Sequence, residues 1–555
     1  MLVTIHKRSY TNPGFLSLAL SWQRKRSTVR HGQTFLIATF LLAVAISASL
    51  LPLYAYASTH TTAALLGHRS SADWPLPSHD VGHTNYQPYG KVDLNRLSIL
   101  WMYNFSVFGE IFHPIAYDLD GDHLLEVVAC RTDRTPNGDV VHTLYCFSSQ
   151  GLLLWIFRSR GISTEPVGIT HLRSAAISLM IHNYGNDTYY LLDPSGNIHS
   201  TIPVAERLGL HPKGYIVGTP LPYQANASDE LQIVGIAASR KHCYVFCFSY
   251  PEQRVRWMCY ANGYPAMWSE DLFIPTLADV DDDSVYEVVT ASAHQGSAST
   301  NSKHVGSWID AIRVFCIDNN GLVLWNTTLP YQGPDSLARG IRCCSDDADS
   351  RSTRFAYIIG KYVYLLNAQG NLLWEVNLSY SISQTAAADF DQDGIYELVL
   401  SDGYRIFLLD DSSQVRWRFL LPHSYKLRDL VLANFDEDQR PEVLALAFKI
   451  TYRSDYSLEY NNTLYCIDSD SSLLWTYTLP NTDELATSLI IADLNQDGLL
   501  EIIVSTTKRL YCLSKPLYIS SFALALSSCI TIAVVVSTYR LLVIEDGTAL
   551  TEKLR

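Results

Sequence analysis

Asp389–Phe419, DFDQDGIYELVLSDGYRIFLLDDSSQVRWRF, joins an acidic loop to three short apolar runs. Asp389, Asp391 and Asp393 alternate along the loop, Gly394 follows, and Glu397 opens the first run. The runs ELVL, YRIFLL and VRWRF have strand length, and the Ser-Asp-Gly and Asp-Asp-Ser-Ser between them are turn formers, so the stretch reads as short strands joined by turns.

Outward from this stretch the same unit recurs from Leu97 to Ser514. A third run carries an aromatic at a fixed place, Tyr145, Tyr190, Phe246, Phe315, Tyr364, Phe407, Tyr465 and Tyr511, which counts eight copies. A fourth run carries Trp101, Trp155, Trp257, Trp325, Trp374, Trp417 and Trp475, with Ser200 in the tryptophan place of the second copy. Four short strands per unit at a period of about fifty residues is the signature of propeller blades. The array is out of phase at its ends. It begins with a lone fourth strand, Leu97 to Phe105, and its last copy stops after the third, RLYCLS. The expected fold is therefore all-β, an eight-bladed β-propeller over 97–514 whose N-terminal strand completes the last blade and removes an exposed sheet edge.

Five copies keep alternating oxygen ligands between their first and second strands. They are Asp118, Asp120 and Asp122 with Glu126; Asp279, Asp281 and Asp283 with Glu287; Asp389, Asp391 and Asp393 with Glu397; Asn434, Asp436 and Asp438 with Glu442; and Asp493, Asn495 and Asp497 with Glu501. Alternate carboxylates on a tight loop converge on one point and can wrap a hard cation, as in the first half of an EF-hand loop, which names Ca²⁺ as the expected cofactor. Gly394 and Gly498 supply backbone freedom for the turn, where His123, Ser284 and Gln439 stand in the other loops. A solvated turn rich in Asp and Asn explains one such loop, and explains five in register poorly.

These loops with the strand that follows, DFDQDGIYELVL and DLNQDGLLEIIVS, resemble FG-GAP or VCBS repeats, the calcium-loop blades of integrin-α-type propellers. The third and fourth strands, as in LYCIDSDSSLLWTYTL and VYLLNAQGNLLWEVNL, resemble the PQQ-like repeats of eight-bladed quinoprotein-type propellers, and DWPLPSHDVGHTNY resembles the lead-in of such domains. The resemblance covers about Asp73 to Ser514 and implies a fold far more than a task.

The chain has 555 residues, 48% of them hydrophobic, and a formal net charge of −14. That acidity, without a basic stripe, excludes a nucleic-acid footprint. A basic leader, 1–33, precedes an apolar run over 34–57 that reads either as a transmembrane helix or as a signal peptide ending in Ala55-Tyr56-Ala57. Residues 58–96 read as a linker. Leu517–Tyr539 has the length of a transmembrane helix and is followed by a cytoplasmic tail, 540–555. Six N-x-S/T sequons, at Asn104, Asn186, Asn226, Asn326, Asn377 and Asn461, all fall between the apolar runs, which suits a glycoprotein ectodomain on the cell surface.

Strand order separates two faces. Loops joining strands one to two and three to four lie on one face, together with the entry and exit of the chain, so the acidic loops look toward the membrane. Five of the six sequons map to the other face. There the insertion from Ser292 to Trp308 and the tyrosine-rich loop Thr451–Asn462 are expected to contact a protein or glycan ligand.

Cys146, Cys247, Cys316, Cys466 and Cys512 share one third-strand position with Leu191, Leu365 and Leu408, which reads as a buried small hydrophobe. Pairing of Cys130 with Cys146, and of Cys247 with Cys259, stays open. The expected function is a membrane-anchored extracellular recognition, adhesion or scaffold module with structural calcium, and not an enzyme. The alternatives are a quinoprotein-like dehydrogenase, for which the adjacent Cys343 and Cys344 speak through the PQQ-like resemblance, and a noncatalytic subunit of a membrane complex. No nucleophilic triad, phosphate loop or zinc spacing occurs.

Overall fold

Apolar side chains at alternate positions of short strands force each repeat into a twisted sheet that must bury both faces against its neighbours. The computed structural model describes residues 74, 76, 80, 84–88, 97–105, 109–134, 140–159, 164–171, 177–183, 187–209, 214–224, 231–239, 243–250, 252–261, 275–281, 283, 285–295, 308–331, 333–334, 338–343, 353–435, 438, 440–454 and 457–514. The leader, the apolar runs 34–57 and 517–539, and the tail lie outside these residues. No helix among the described residues is long and apolar enough to cross a membrane.

The repeats form eight antiparallel meanders. Blade 1 comprises Glu110–Tyr117, Glu126–Arg134, Val140–Phe147 and Leu153–Ser159. Blade 2 comprises Thr164–His171, Ile177–Asn183, Thr188–Leu192 and Ile198–Pro203. Blade 3 comprises Gly214–Gln224, Leu231–Ser239, Cys243–Tyr250 and Arg254–Tyr260. Blade 4 comprises Thr276–Ala278, Glu287–Gln295, Trp308–Ile317 and Val323–Leu329. Blade 5 comprises Ala338–Cys343, Arg354–Ile359, Tyr362–Asn367 and Leu372–Asn377. Blade 6 comprises Gln384–Ala388, Glu397–Ser401, Arg405–Leu409 and Val415–Leu420. Blade 7 comprises Lys426–Ala433, Glu442–Tyr452, Leu458–Ile467 and Leu473–Thr478. Blade 8 takes Ala486–Ala492, Glu501–Thr506 and Arg509–Ser514 from the end of the repeats and Ser98–Asn104 from their beginning.

The closing pair runs antiparallel from Ser98 opposite Ser514 to Asn104 opposite Arg509. Arg509 Nε donates to Asn104 Oδ1 at 2.7 Å, and its Nη1 lies 3.0 Å from the buried Glu484 carboxylate, so a charge network locks the seam.

The eightfold register follows one rule. The residue after each third-strand aromatic faces the tryptophan position of the fourth strand: Cys146 with Trp155, Leu191 with Ser200, Cys247 with Trp257, Cys316 with Trp325, Leu365 with Trp374, Leu408 with Trp417, Cys466 with Trp475, and Cys512 with Trp101. A register shift adjoins this pair in every blade, twisting the outer strand. The five cysteines at this place are buried thiols outside any disulfide, as are Cys130 and Cys243, and Cys259 is a half-buried one. None of the two open pairings forms.

In five blades the outer tryptophan reaches the next blade. Its indole N–H donates to a carbonyl in the turn between strands three and four: Trp101 to Ser149, Trp155 to Pro194, Trp257 to Asn319, Trp325 to Ala368 and Trp374 to Asp411, at 2.6–2.9 Å. A glycine lies under four of these rings, those of Trp101, Trp155, Trp257 and Trp325. Gly370 has φ +75°, and a Cβ there would collide with Trp325, so both conformation and space require glycine. Trp417 and Trp475 break the series; the buried indole N–H of each lacks a partner.

Part of the segment read as a linker is built into the ring. Trp74 and Ala116 of blade 1 exchange backbone hydrogen bonds at 2.7 and 2.9 Å. Tyr86–Gln87 pairs in parallel with Leu432–Ala433 of blade 7, while Ala387 N–H of blade 6 donates to Thr84. These are bonds to the free inner edges of first strands, at the end near the acidic loops, so the lead-in occupies that end of the central channel. Trp74, Thr84 and Gln87 are buried there.

Candidate metal centres on the acidic-loop face

All five acidic loops connect a first to a second strand, and each ends in a glutamate that opens the second strand and is buried. Backbone geometry explains the spacing. Seven residues before the glutamate, a backbone N–H donates to its Oε2: Leu119 to Glu126 and Val280 to Glu287 at 2.9 Å, Phe390 to Glu397 at 2.7 Å, Leu494 to Glu501 at 2.8 Å, and Phe435 to Glu442. The third acid of each loop accepts the N–H two residues on, namely Leu124, Val285, Ile395, Arg440 and Leu499, at 2.7–2.9 Å. These bonds hold the carboxylates in a fixed arc.

Two left-handed residues bend the arc. Gly121, Gln392 and Gln496 take φ of +82°, +65° and +55°, and two residues later His123, Gly394 and Gly498 take +72°, +86° and +84°. The sequence reading recognised the second position only. His123 tolerates it with its own N–H bonded to Asp118 Oδ2 at 3.0 Å.

Carboxylates gather in four loops, with one oxygen of each acid within 4.8 Å of the others. In blade 1 they are Asp118, Asp120 and Asp122, with Glu126 outside the group. In blade 4 they are Asp279, Asp281 and Glu287, without Asp283. In blade 6 they are Asp389, Asp391 and Glu397, without Asp393. In blade 7 they are Asp438, Glu442 and Asp468. Asn434 Oδ1 is buried without a hydrogen-bond partner, and Asp436 lies outside the described residues. Asp468 belongs to the turn between strands three and four, and sequence reasoning missed it. The signal was present: Asp193, Asp318 and Asp410 occupy the same turn position, and that turn shares a face with the acidic loops.

The blade 8 loop forms no such group. Asp493 Oδ1 and Oδ2 accept from Asp497 and Gly498 N–H, and Asn495 Nδ2 donates to Glu501 Oε1 at 3.2 Å, with Ser514 Oγ on the same oxygen at 3.0 Å. Its carboxylates are satisfied from within the protein.

Electrostatics mark the glutamates. Burial pushes Glu126, Glu287 and Glu397 up to about 7; the neighbouring aspartates add to the rise and the bonded N–H opposes it. Burial also lifts Asp493 to about 7 and Glu501 well above its ordinary value. In blade 6, Arg416 Nη2 lies 2.6 Å from Asp391 Oδ2 and its Nε 3.4 Å from Asp410, relieving part of the repulsion.

Glu397 decides whether these residues fit a cation. It is 1% exposed, and its Oε1 has no hydrogen-bond partner while Oε2 holds Phe390. A buried carboxylate oxygen without a donor costs about 1–3 kcal/mol or more. A hard divalent ion shared with Asp389 and Asp391 satisfies it, and an all-oxygen set suits such an ion. The residues fit.

On the opposite face, Asn104, Asn326 and Asn377 are exposed on fourth strands. Asn326 sits inside its strand instead of at the connection between blades, opposite Phe315. Asn461 is half-buried, and its Oδ1 accepts from Tyr425 and Thr463 at 2.9 Å. Asn186 and Asn226 lie outside the described residues. Strands two and three of blade 7 continue as a long hairpin to Tyr452 opposite Leu458, with Tyr452 77% exposed. Blade 4 is likewise extended, to Gln295 and Trp308, and 296–307 lie outside the described residues. Cys343 ends the first strand of blade 5, with Cys344 outside the described residues.

No family model and no curated protein sequence matches the chain. Solved propeller structures are similar in outline. BBS1N in complex with ARL6DN is 10% identical over 76% of this chain and 98% of that one, with a TM-score of 0.37. The Dos1 propeller is 10% identical over 76% and 96%, at 0.36. The dihydro-heme d1 dehydrogenase NirN in complex with DHE is 12% identical over 73% and 80%, at 0.39. At these identities and scores none of them bears on activity, ligand or partner.

Proposed function

We propose that the chain is a membrane-anchored extracellular propeller that serves as a recognition or scaffold module, with calcium in its acidic loops as part of the fold. The observation that carries this reading is the division of the ring into unlike faces. One face bears the acidic loops and the chain exit at Ser514, three residues before an apolar run of membrane length. The other bears sequons and exposed tyrosines, Tyr380, Tyr404 and Tyr452, with the Arg405 guanidinium 3.9 Å over the Tyr380 ring. Exposed tyrosine and arginine on a rigid support are what protein and glycan surfaces bind. Calcium is the expected occupant of the loops because extracellular modules bind it at about 10⁻⁴–10⁻³ M, a range filled outside a cell.

The quinoprotein-like alternative needs a planar cofactor within the ring. The lead-in bonded to the inner edges of blades 1, 6 and 7 takes up that end of the channel, which supports the recognition reading over it. External protease and N-glycosidase on intact cells expressing the full chain test the proposal. The expected result is cleavage of the propeller from outside and a loss of mass on deglycosylation. A propeller protected from protease and unshifted by glycosidase overturns it.

A further inference from the structure

The outermost strand of each blade turns alternate side chains away from the ring. Beside the turn that leads into it, on the acidic-loop face, the outward residue is leucine in five blades: Leu100, Leu154, Leu324, Leu373 and Leu474, all exposed. Leu152 and Leu322 extend this belt at the turn tips and are 65% and 66% exposed. At the opposite end of the same five strands the outward residues are polar, Asn104, Arg158, Thr328, Asn377 and Thr478. In these five blades the outer strand therefore grades from apolar to polar in one direction; His199, Arg256 and Arg416 hold the leucine place in blades 2, 3 and 6, and blades 3 and 6 carry exposed Tyr260 and Leu420 at the far end.

That direction agrees with the path of the chain. Ser514 pairs with Ser98 at the leucine end of blade 8, and only Lys515 and Pro516 separate it from Leu517. Three extended steps span at most about 10 Å, so the apolar run begins within that distance of the leucine end of blade 8. The belt lies in blades 8, 1, 4, 5 and 7, on more than one side of the ring, which suits a plane and not a single groove. A second copy stacked on this face would bring two sets of acidic loops together.

We propose that this leucine belt rests in the interfacial layer of a lipid bilayer, so that the ring stands on the membrane by its rim as well as being tethered to it. The inference rests on the anchored reading above and goes beyond it, because a tether alone leaves the rim in water. Exposed apolar surface gains from leaving water, and turn-tip leucines reach lipid first.

The test uses the full chain in phosphatidylcholine nanodiscs containing a phosphatidylcholine with a photoactivatable acyl chain, followed by mapping of cross-linked peptides. Adducts are expected on 517–539 and on the peptides holding Leu152–Leu154, Leu322–Leu324 and Leu473–Leu474. The combined substitutions Leu152→Asp, Leu322→Asp and Leu474→Asp remove the belt adducts at their own peptides and keep those on 517–539. A single Leu152→Asp, read at its own peptide, serves if the triple variant does not fold. Adducts on 517–539 without any on the belt overturn the inference and leave the tether standing. No adducts on either overturn both. A belt shielded in particles whose mass shows two chains overturns it in favour of a copy-to-copy contact.

Discussion

Glu397→Gln separates a cation ligand from a simple loop clamp, because the two roles predict opposite signs under opposite conditions. Glutamine keeps the shape and still accepts the Phe390 N–H through its carbonyl. Without metal, the folded protein holds the Glu397 carboxyl at about 7 against an ordinary 4.5, mainly through burial and then through Asp391 and Asp389. Ionising it at pH 8 therefore opposes folding by about 3 kcal/mol as an upper figure, from ~1.4 kcal/mol per pKa unit. Glutamine carries no such penalty. In chelator at pH 8 the substitution should raise the urea midpoint, by an amount worth about 1–3 kcal/mol. In saturating calcium it removes a charged ligand whose ion contributes about 2–3 kcal/mol at a hundredfold excess over Kd, so the midpoint should fall. Tryptophan fluorescence during urea unfolding reads both. A shift of the same sign in chelator and in calcium refutes the ligand role.

The blade lock is tested by Gly370→Ala against Gly209→Ala. Both glycines have positive φ, +75° and +68°, but only Gly370 lies against a tryptophan while Gly209 faces open space. Left-handed strain of about 1–2 kcal/mol is common to both, and overpacking adds about 1–3 kcal/mol at Gly370 alone; equal losses in chemical denaturation would contradict the lock. The loops also predict a pH dependence. In chelator, Glu126, Glu287 and Glu397 stay protonated in the folded state up to about 7 but ionise near 4.5 when unfolded, so the folded state binds more protons between these values. Stability should therefore fall as pH rises from about 4.5 to 7, and calcium should abolish that fall; melting curves across the window with and without calcium check it.

The ring was legible because its determinants are local and repeated. Eight third-strand aromatics, each followed by Cys or Leu, stand where the strands place them, and the phase shift at the ends led directly to the pairing of Ser98–Asn104 with Arg509–Ser514. The loop acids were legible for the same reason. What escaped is what depends on distant partners. Thr84–Gln87 carries no periodicity, and its backbone bonds go to strands some three hundred residues away, so its lead-in resemblance marked it without placing it in the channel. Asp468 joins Asp438 and Glu442 only after a hairpin brings two turns onto one face. Arg416 is an ordinary outward strand residue until the fold sets it 2.6 Å from Asp391. Blade 8 was the reverse case, since Asp493-x-Asn495-x-Asp497-Gly498 is one of the two glycine-bearing loops while Asn495 and Ser514 satisfy its glutamate internally.

Calorimetric unfolding of the purified chain in calcium and in chelator, with a metal count on the same sample, tests the central claim most directly. The account predicts more than one calcium ion per chain and a large calcium-dependent rise in Tm, as expected when an ion binds only the folded state. Identical transitions in calcium and chelator, with no bound metal, would contradict it and leave the acidic loops as hydrogen-bonded turns.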